Sequence, residues 1–372
     1  MIKDIFFSKI TTSISLLIYR ITIKVFIFYV NQMNFLYSKK MSKKIKNNFS
    51  ETIGNTPLIK LKLASEMSGC NIYGKCEFLN PGGSVKDRPA KQIILDAIET
   101  KKIKKGATIV EGTAGNTGIG LSLVGNSLGM KSIIVMPKTQ SNEKKKMLKL
   151  CGAELHLVEA LPYKNPGNYI RYSETLSKKI KNPNGVLWAN QFDNLSNKKS
   201  HYLTTGPEIW SQLNGKVDAF ICSIGTGGTL AGMSEYLKEM NKKIIIGLAD
   251  PFGSAMFNFF KNGKLESNGT SITEGIGQGR ITKNLENIVI DDFFQISDSE
   301  ALNLVFQMIR DEGLILGGSS GINIMGAIKL GKKMGKNKNI VTILCDYGTK
   351  YESKIFNKVF LKKANLPIPE WL

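Results

Sequence analysis

The chain has 372 residues, enough for two domains, and combines an apolar share of 42% with a formal net charge of +21. Its lysines are scattered and no zinc-finger or aromatic RNA-binding pattern accompanies them, so the charge does not indicate a nucleic-acid partner. The two histidines, His156 and His201, have no second candidate ligand nearby, which argues against a catalytic metal and against a serine–histidine triad.

Residues 1–46 differ in composition from the rest of the chain. They contain nine Lys or Arg residues and a single acid, and basic residues interrupt their apolar runs. No stretch of about 18 apolar residues is left, so stable membrane insertion is not expected. Three interpretations stay open: an extension created by a misassigned start at Met33 or Met41, a targeting peptide, or a membrane-associated segment.

The five cysteines are odd in number, widely spaced and without a CxxC pair. This pattern predicts reduced thiols rather than a disulfide framework. We therefore expect a cytoplasmic protein, or a mitochondrial one if residues 1–40 are a genuine targeting segment.

From Thr52 onward, strand-like apolar runs alternate with helical periodicities, which predicts an α/β protein with mostly parallel sheets flanked by helices. The predicted strands are residues 56–61, 71–78, 107–111, 132–136, 154–158, 186–190, 217–224, 244–249 and 340–345. The clearest predicted helices are residues 90–98, 230–240 and 299–310. Residues 275–280 are too rich in glycine for regular structure. The two βα series break near residues 190–205, which predicts two domains with a ligand cleft between them.

A sharp turn at residues 80–89 presents Lys86 just before the first of these helices. The positive end of the helix and the neighbouring Arg88 favour a neutral amine, the form that condenses with an aldehyde. The alternative is that Lys86 is one of many surface lysines and that Gly82-Gly83 belongs to an ordinary loop.

Two more loops, residues 112–118 and 225–229, each follow a predicted strand and open a helix, an arrangement whose backbone N–H groups bind anions. No loop ends in Gly-Lys-Ser/Thr, which argues against a P-loop, and Leu230 replaces the third glycine of a dinucleotide-binding fingerprint. An enzyme with a phosphorylated aldehyde cofactor would use all of these features: Lys86 for the Schiff base, residues 225–229 for the phosphate, and a further loop for a substrate carboxylate. For residues 225–229, a simple βα turn is the alternative.

The chain from about Phe49 to Lys354 resembles the cysteine synthases (O-acetylserine sulfhydrylases), pyridoxal-phosphate enzymes with the tryptophan-synthase-β-like fold. Five motifs carry the resemblance in the expected order: Gly54-Asn55-Thr56-Pro57-Leu58, residues 80–88, Ala114-Gly115-Asn116-Thr117-Gly118, residues 225–229 and Gly317-Gly318-Ser319-Ser320-Gly321. It implies pyridoxal 5′-phosphate as cofactor, a homodimer and two domains. Residues 47–80 and 196–358 would form the larger, cofactor-binding domain, residues 81–195 the smaller, substrate-side domain, and residues 359–372 a C-terminal tail.

The resemblance also implies the roles of individual residues. Lys86 would hold the cofactor as a Schiff base and move the substrate α-proton. The remaining cofactor contacts would be Asn116 on the ring hydroxyl, Ser319 on the pyridine nitrogen, and Gly225, Thr226, Gly227, Gly228 and Thr229 on the phosphate. The amino-acid carboxylate would bind Thr113, Gly115, Thr117 and Gln191, with Gly275 in a loop bordering the substrate. For Ser319, a helix cap is the alternative.

The expected reaction is β-replacement on O-acetylserine or O-phosphoserine by a sulfur nucleophile, giving cysteine or S-sulfocysteine. Ala114 stands where the family commonly has serine, which leaves the amino-acid donor and the sulfur donor open. A cystathionine β-synthase or a cysteine desulfhydrase is the enzymatic alternative. A catalytically idle binding protein with this fold is the non-enzymatic one, although Lys86 and the complete 225–229 loop argue against it.

Overall fold

The computed structural model of the chain describes residues 45–372, and residues 48–372 form one compact unit. The interpretations offered for the N-terminal extension therefore lie outside the described residues. Within the described part, no helix is both long and apolar enough to cross a membrane.

Two β-sheets organise the described residues. Their strands are β1 (Leu58–Lys60), β2 (Asn71–Cys76), β3 (Thr108–Gly112), β4 (Lys131–Pro137), β5 (Glu154–Val158), β6 (Val186–Trp188), β7 (Ala219–Cys222), β8 (Ile245–Pro251), β9 (Asp292–Ile296) and β10 (Asn339–Leu344). One sheet has six strands in the order β1-β2-β10-β7-β8-β9, and the other has four in the order β5-β4-β3-β6. Strand β1 runs antiparallel to β2, and the other pairings are parallel.

Helices cover the faces of these sheets. In chain order they are α1 (Lys62–Ser68), α2 (Asp87–Glu99), α3 (Asn116–Ser127), α4 (Asn142–Leu150), α5 (Tyr169–Lys179), α6 (Ser196–Ser200), α7 (Gly206–Gln212), α8 (Gly228–Met240), α9 (Met256–Asn262), α10 (Asp298–Glu312), α11 (Gly318–Met334) and α12 (Lys358–Lys363). The predicted α/β architecture with two mostly parallel sheets is confirmed. The four-stranded sheet is built from consecutive strands, β3 to β6, and the six-stranded sheet from the strands before and after them. The exact domain boundaries stay a prediction.

Burial explains why these segments form parallel strands. Strands β3 and β7 are buried along their whole length, as expected for strands covered by helices on both faces. Ile93 and Ile94 of α2 pack with Ile109 of β3 in the core of the smaller sheet. In the larger sheet, Ile322 of α11 packs with Ile221 of β7. The site-bearing loops therefore extend from two rigid cores.

Strand β9 is the element that the sequence pattern did not predict. It lies at the edge of the larger sheet, pairs only with β8 and is mostly half-buried. A half-buried edge strand needs no continuous apolar run, and β9 follows closely on irregular chain, so the pattern gave no clear signal. Residues 275–280 form no helix or strand, as predicted.

Candidate active site

Lys86 sits at the N-terminal end of α2 and lines a cavity of about 450 Å³, a size typical of small-molecule sites. The preceding turn is held by Asp87, whose Oδ2 accepts a hydrogen bond from the Gly82 N–H at 2.6 Å. A Cβ on Gly82 would lie 2.5 Å from the Asp87 carboxylate, so this close approach requires glycine. Burial raises the pKa of Asp87 to about 7. The turn thus directs Lys86 into the cavity.

Arg88 does not act as an uncompensated charge beside Lys86. Its guanidinium forms ion pairs with Glu77 and Glu208, each with an N–O distance of 2.7 Å. Burial opposes the charged form, but these two carboxylates outweigh it and raise the pKa of Arg88. Arg88 therefore anchors the start of α2 to the protein interior.

The loop of residues 225–229, here called the glycine loop, connects β7 to α8. Gly227 is in the left-handed region with φ +89° and caps α8 without a side chain, which leaves backbone N–H groups of the first turn for an anion. Each glycine is also required by a close contact. An added Cβ would lie 2.2 Å from the Gly275 carbonyl oxygen at Gly225, 2.6 Å from Leu285 at Gly227 and 2.1 Å from Asn197 at Gly228.

His201 stands behind the glycine loop, fully buried. Its Nε2 lies 3.1 Å from Thr229 Oγ1, and its Nδ1 lies 2.9 Å from Thr205 Oγ1. Burial lowers the pKa of His201 well below its ordinary value, and the charges of Arg88 and Lys86 add to this effect. The imidazole is therefore neutral and holds the Thr229 hydroxyl through one ring nitrogen. From the sequence, this histidine was considered only as a metal ligand or triad member, and its contact with Thr229 was missed.

The loop of residues 113–118, here called the asparagine loop, connects β3 to the first turn of α3. Gly115 has φ +133°, and its N–H donates to Thr113 Oγ1 at 3.0 Å. Thr117 Oγ1 donates to Gln191 Oε1 at 2.5 Å, and Gln191 Nε2 donates to the Gly112 carbonyl oxygen at 3.1 Å. These bonds bring Gln191 from beyond β6 to the same wall of the cavity.

Asn116 is held through both ends of its amide. Its Nδ2 donates to Asp346 Oδ2 at 2.6 Å, and its Oδ1 accepts from Lys350 Nζ at 3.0 Å. Tyr351 Oη also donates to Asp346 Oδ2, at 2.7 Å. The sequence pattern assigned no site role to Asp346, Lys350 or Tyr351, because their partners lie far away along the chain.

Ser319 lies in the first turn of α11, is 5% exposed and lines the cavity. The helix begins at Gly318 after Gly317 in the N-cap position, so Ser319 is not the cap. The alternative structural role is therefore not supported by the geometry. The next residue, Ser320, has a structural contact: its Oγ accepts a hydrogen bond from the Cys345 N–H at 2.9 Å.

An ionic cluster that the sequence did not predict lines the cavity. Glu274 forms ion pairs with Lys144 of α4 and with Lys354. Burial alone would raise the pKa of Glu274, but the two lysines outweigh it and lower that pKa. Glu274, the residue before Gly275, is therefore ionised and is held by its ion pairs with Lys144 and Lys354.

The structure brings most of the predicted site residues to one cavity. Its lining includes Lys86, Thr113, Gly115, Asn116, Thr117, Gln191, Gly225, Thr226, Gly275 and Ser319. Gly227 and Thr229 line a smaller adjoining cavity that also contacts Lys86. Gly228 lines neither, because it packs against Asn197. The arrangement places an amine, a helix start that suits a phosphate and a loop of polar groups around one space.

Comparison with known proteins agrees with this geometry. The chain matches the model of the family described as "Pyridoxal-phosphate dependent enzyme" over residues 49–346, and it belongs to that family. The family's cofactor, pyridoxal 5′-phosphate, fits the residues present, since Lys86 and the uncapped start of α8 line the same small cavity.

Among its relatives are two fungal proteins. The chain is 46% identical to "Cysteine synthase 1" of Neurospora crassa, over 91% of either chain. It is 47% identical to "Cysteine synthase 1" of Emericella nidulans, over 86% of this chain and 87% of that protein. A solved structure, the O-acetylserine dependent cystathionine β-synthase from Helicobacter pylori, matches with a TM-score of 0.75 and 34% identity, covering 83% of this chain and 98% of that one. The resemblance inferred from the five motifs is confirmed.

Proposed function

We propose that this protein catalyses β-replacement on an activated serine, O-acetylserine or O-phosphoserine, with a sulfur nucleophile, and so forms cysteine or S-sulfocysteine. The observation that carries the proposal is the convergence of Lys86, the glycine loop and the asparagine loop on one cavity. Similarity to two proteins named cysteine synthase supports the choice of reaction within the family.

The chain's own residues would hold the cofactor at several points. The first-turn N–H groups of α8, with the Thr226 and Thr229 hydroxyls, would bind the phosphate, Asn116 would donate to the ring hydroxyl, and Ser319 would face the pyridine nitrogen. When bound, pyridoxal phosphate supplies an electron sink for the carbanion formed at the substrate α-carbon. Lys86 would bind the cofactor's aldehyde through its amine and then carry the α-proton.

The asparagine loop would bind the amino-acid carboxylate. Thr113, Gly115 and Thr117 line the same wall as Gln191, and the start of α3 adds backbone N–H groups. Ala114 lacks the hydroxyl common in the family at this position, so the backbone carries more of the anion binding. Gly275, on the segment fixed by Glu274, would border the reacting side chain.

The titratable groups of the cavity favour an activated serine over serine itself. Expelling hydroxide needs a proton donor, whereas acetate or phosphate leaves without one. Glu274 is kept ionised by Lys144 and Lys354, so it does not donate a proton near neutral pH. The Tyr351 hydroxyl already donates a hydrogen bond to Asp346, and burial raises its pKa well above the ordinary value. Lys144 and Lys354, which also line the cavity, are both paired with Glu274. Among the residues that this proposal places in the reaction, Lys86 is the one that would carry a proton.

A substrate panel tests the reaction. Purified protein is incubated with O-acetylserine or O-phosphoserine plus sulfide or thiosulfate, and separately with serine plus homocysteine, and the products are quantified by chromatography. We expect the activated serines to react about 100-fold faster, because no general acid is needed. Comparable turnover of serine with homocysteine would favour a cystathionine β-synthase, the activity for which the Helicobacter pylori relative is named. Sulfide release from cysteine alone would favour a desulfhydrase.

The attachment of the cofactor is tested on the same preparation. Borohydride reduction makes the attachment of the cofactor to its lysine permanent, and peptide mapping then locates that lysine. We expect it to be Lys86, and modification of another lysine instead would contradict the assigned role. Protein that binds no pyridoxal phosphate would favour the non-enzymatic alternative.

The assembly, the division into domains and the compartment also belong to this proposal. We expect a homodimer, to be measured by light scattering, with residues 81–195 as the smaller domain. We expect it in the cytoplasm, or in mitochondria if residues 1–40 direct it there, which a fluorescent fusion with and without those residues would decide.

A further inference from the structure

The orientation of the Asn116 amide decides what this residue can do in the cavity. An asparagine side chain has a carbonyl oxygen at one end, which only accepts hydrogen bonds, and an NH₂ group at the other, which only donates. Asn116 is half-buried and lines the cavity. If the amide were reversed, it would offer a ligand an acceptor instead of a donor.

Lys350 allows only one of the two orientations. Its Nζ lies 3.0 Å from three oxygens: the Gly82 carbonyl, the Gly83 carbonyl and Asn116 Oδ1. An ammonium group has three N–H donors and no acceptor, so these three contacts use all of them. The amide end facing Lys350 must therefore be the oxygen.

Asp346 enforces the same orientation from the other side. Its Oδ2 lies 2.6 Å from Asn116 Nδ2, and it also accepts from the Tyr351 hydroxyl at 2.7 Å. The Asp346 side chain is fully buried. One hydrogen of Nδ2 is thereby committed to Asp346, and the second hydrogen is left for the cavity.

We propose that Lys350 is a positioning residue that fixes the Asn116 amide so that its remaining N–H donates to the ring hydroxyl oxygen of the cofactor. The inference rests on the proposed role of Asn116 within the proposed function. Because Lys350 also holds the Gly82 and Gly83 carbonyls, it ties the turn before Lys86 to the asparagine loop. One side chain from the C-terminal part of the chain thus sets two walls of the site relative to each other.

The test compares Lys350→Met, which keeps the length but removes the donors, with Lys350→Arg, which keeps the charge and donors. Lys332→Met, at an exposed lysine of α11, is the matched control. Two readouts are independent of turnover: the affinity of the apo protein for pyridoxal phosphate, and the pH at which the visible band of the bound cofactor changes form. We expect Lys350→Met to weaken binding about tenfold and to move the titration towards higher pH, since a donor stabilises the deprotonated ring oxygen.

A double-mutant cycle with Asn116→Ala separates positioning from general destabilisation. If Lys350 acts through the amide, Lys350→Met should no longer move the titration once Asn116 is alanine, and any affinity loss that remains there reports its bonds to the Gly82 and Gly83 carbonyls. Lys350→Arg should keep most of the wild-type titration. An equal shift of the titration in both backgrounds, or a wild-type titration in Lys350→Met, would overturn the inference. If Lys350→Met does not fold, Lys350→Gln, which can bond fewer of the three oxygens, replaces it with the same expected outcomes.

The two proposals fail in different ways. A wild-type protein that takes up no pyridoxal phosphate would refute the proposed function. A wild-type protein that binds it, together with a Lys350→Met variant of unchanged affinity and titration, would refute only the positioning role.

Discussion

The glycine loop and the asparagine loop are built on the same plan, but in the proposed function they bind through different atoms. Each follows a fully buried parallel strand, β7 or β3, and each opens a helix, α8 or α3. In the glycine loop the backbone provides much of the candidate site, and neighbouring atoms lie so close that any residue larger than glycine would overlap them. In the asparagine loop the side chains provide much of it, and hydrogen bonds from distant segments orient them.

The difference shows two ways of making a binding surface rigid. Close contact with Gly275, Leu285 and Asn197 leaves no room for a side chain at the three glycines of the glycine loop. The asparagine loop instead depends on partners such as Lys350 and Gln191, each held by further hydrogen bonds. We therefore expect an added methyl group to damage the first loop and the loss of one donor to damage the second.

The largest effect is expected for Gly225→Ala. The new Cβ would lie 2.2 Å from the Gly275 backbone oxygen, so one of the two loops must shift. Overpacking of this kind should weaken pyridoxal-phosphate binding about 100-fold, measured by titration of the apo protein. The matched control is Gly279→Ala, because a Cβ added to Gly279 would have no atom within 4 Å and the residue has no left-handed φ. Equal affinities of the two variants would show that contact with Gly275 does not shape the glycine loop.

A smaller and more selective effect is expected for Thr117→Val in the asparagine loop. The change removes the donor to Gln191 Oε1 within a buried pair. Leaving this oxygen unpaired should raise the KM for the amino-acid substrate about tenfold and leave cofactor affinity unchanged. Steady-state kinetics and cofactor titration are measured together, with Thr175→Val, at an exposed hydroxyl, as the control. A parallel loss of cofactor affinity would mean that the two loops do not divide their tasks.

The smallest effect concerns stability and Glu111, next to the last residue of β3. Burial raises the pKa of Glu111 to about 8 from its ordinary 4.5, so the folded state holds a proton that the unfolded state releases. The stability from this proton is complete below pH 4.5 and is lost as the pH rises towards 8. Glu111→Gln should remove this pH dependence of stability. At about pH 8, its free energy of unfolding should exceed that of wild type by on the order of 1–3 kcal/mol.

Urea unfolding at several pH values between 4.5 and about 8 measures how the free energy of unfolding changes with pH in wild type and in Glu111→Gln. Glu66→Gln, at an exposed glutamate of α1, is the control. Parallel profiles for wild type and Glu111→Gln would show that Glu111 is not protonated in the folded protein. No carboxylate occupies β7, so the effect distinguishes the two strands that support the loops.

The sequence was most informative where adjacent residues determine both the backbone and the chemistry. Lys86 was recognisable because a turn and a helix start flank it directly, and the glycine loop because its glycines follow one another after an apolar strand. The same local reasoning failed for β9, which lies at a sheet edge, and for His201, whose contact with Thr229 forms only in the fold. For Arg88, the sequence indicated the position beside Lys86 but not the ion pairs with Glu77 and Glu208.

The sequence by itself therefore determined the α/β architecture, the family and the cofactor, and it predicted Lys86 with the glycine loop as the centre of the candidate site. Only the tertiary structure decided how the side chains around that centre are oriented and compensated. The Lys350–Asn116 hydrogen bond joins residues 234 positions apart, and the Lys144–Glu274 ion pair joins residues 130 positions apart. Helix starts and turns depend on local backbone conformation, which neighbouring residues set, whereas the direction of a polar side chain depends on whichever partner the packed fold brings to it.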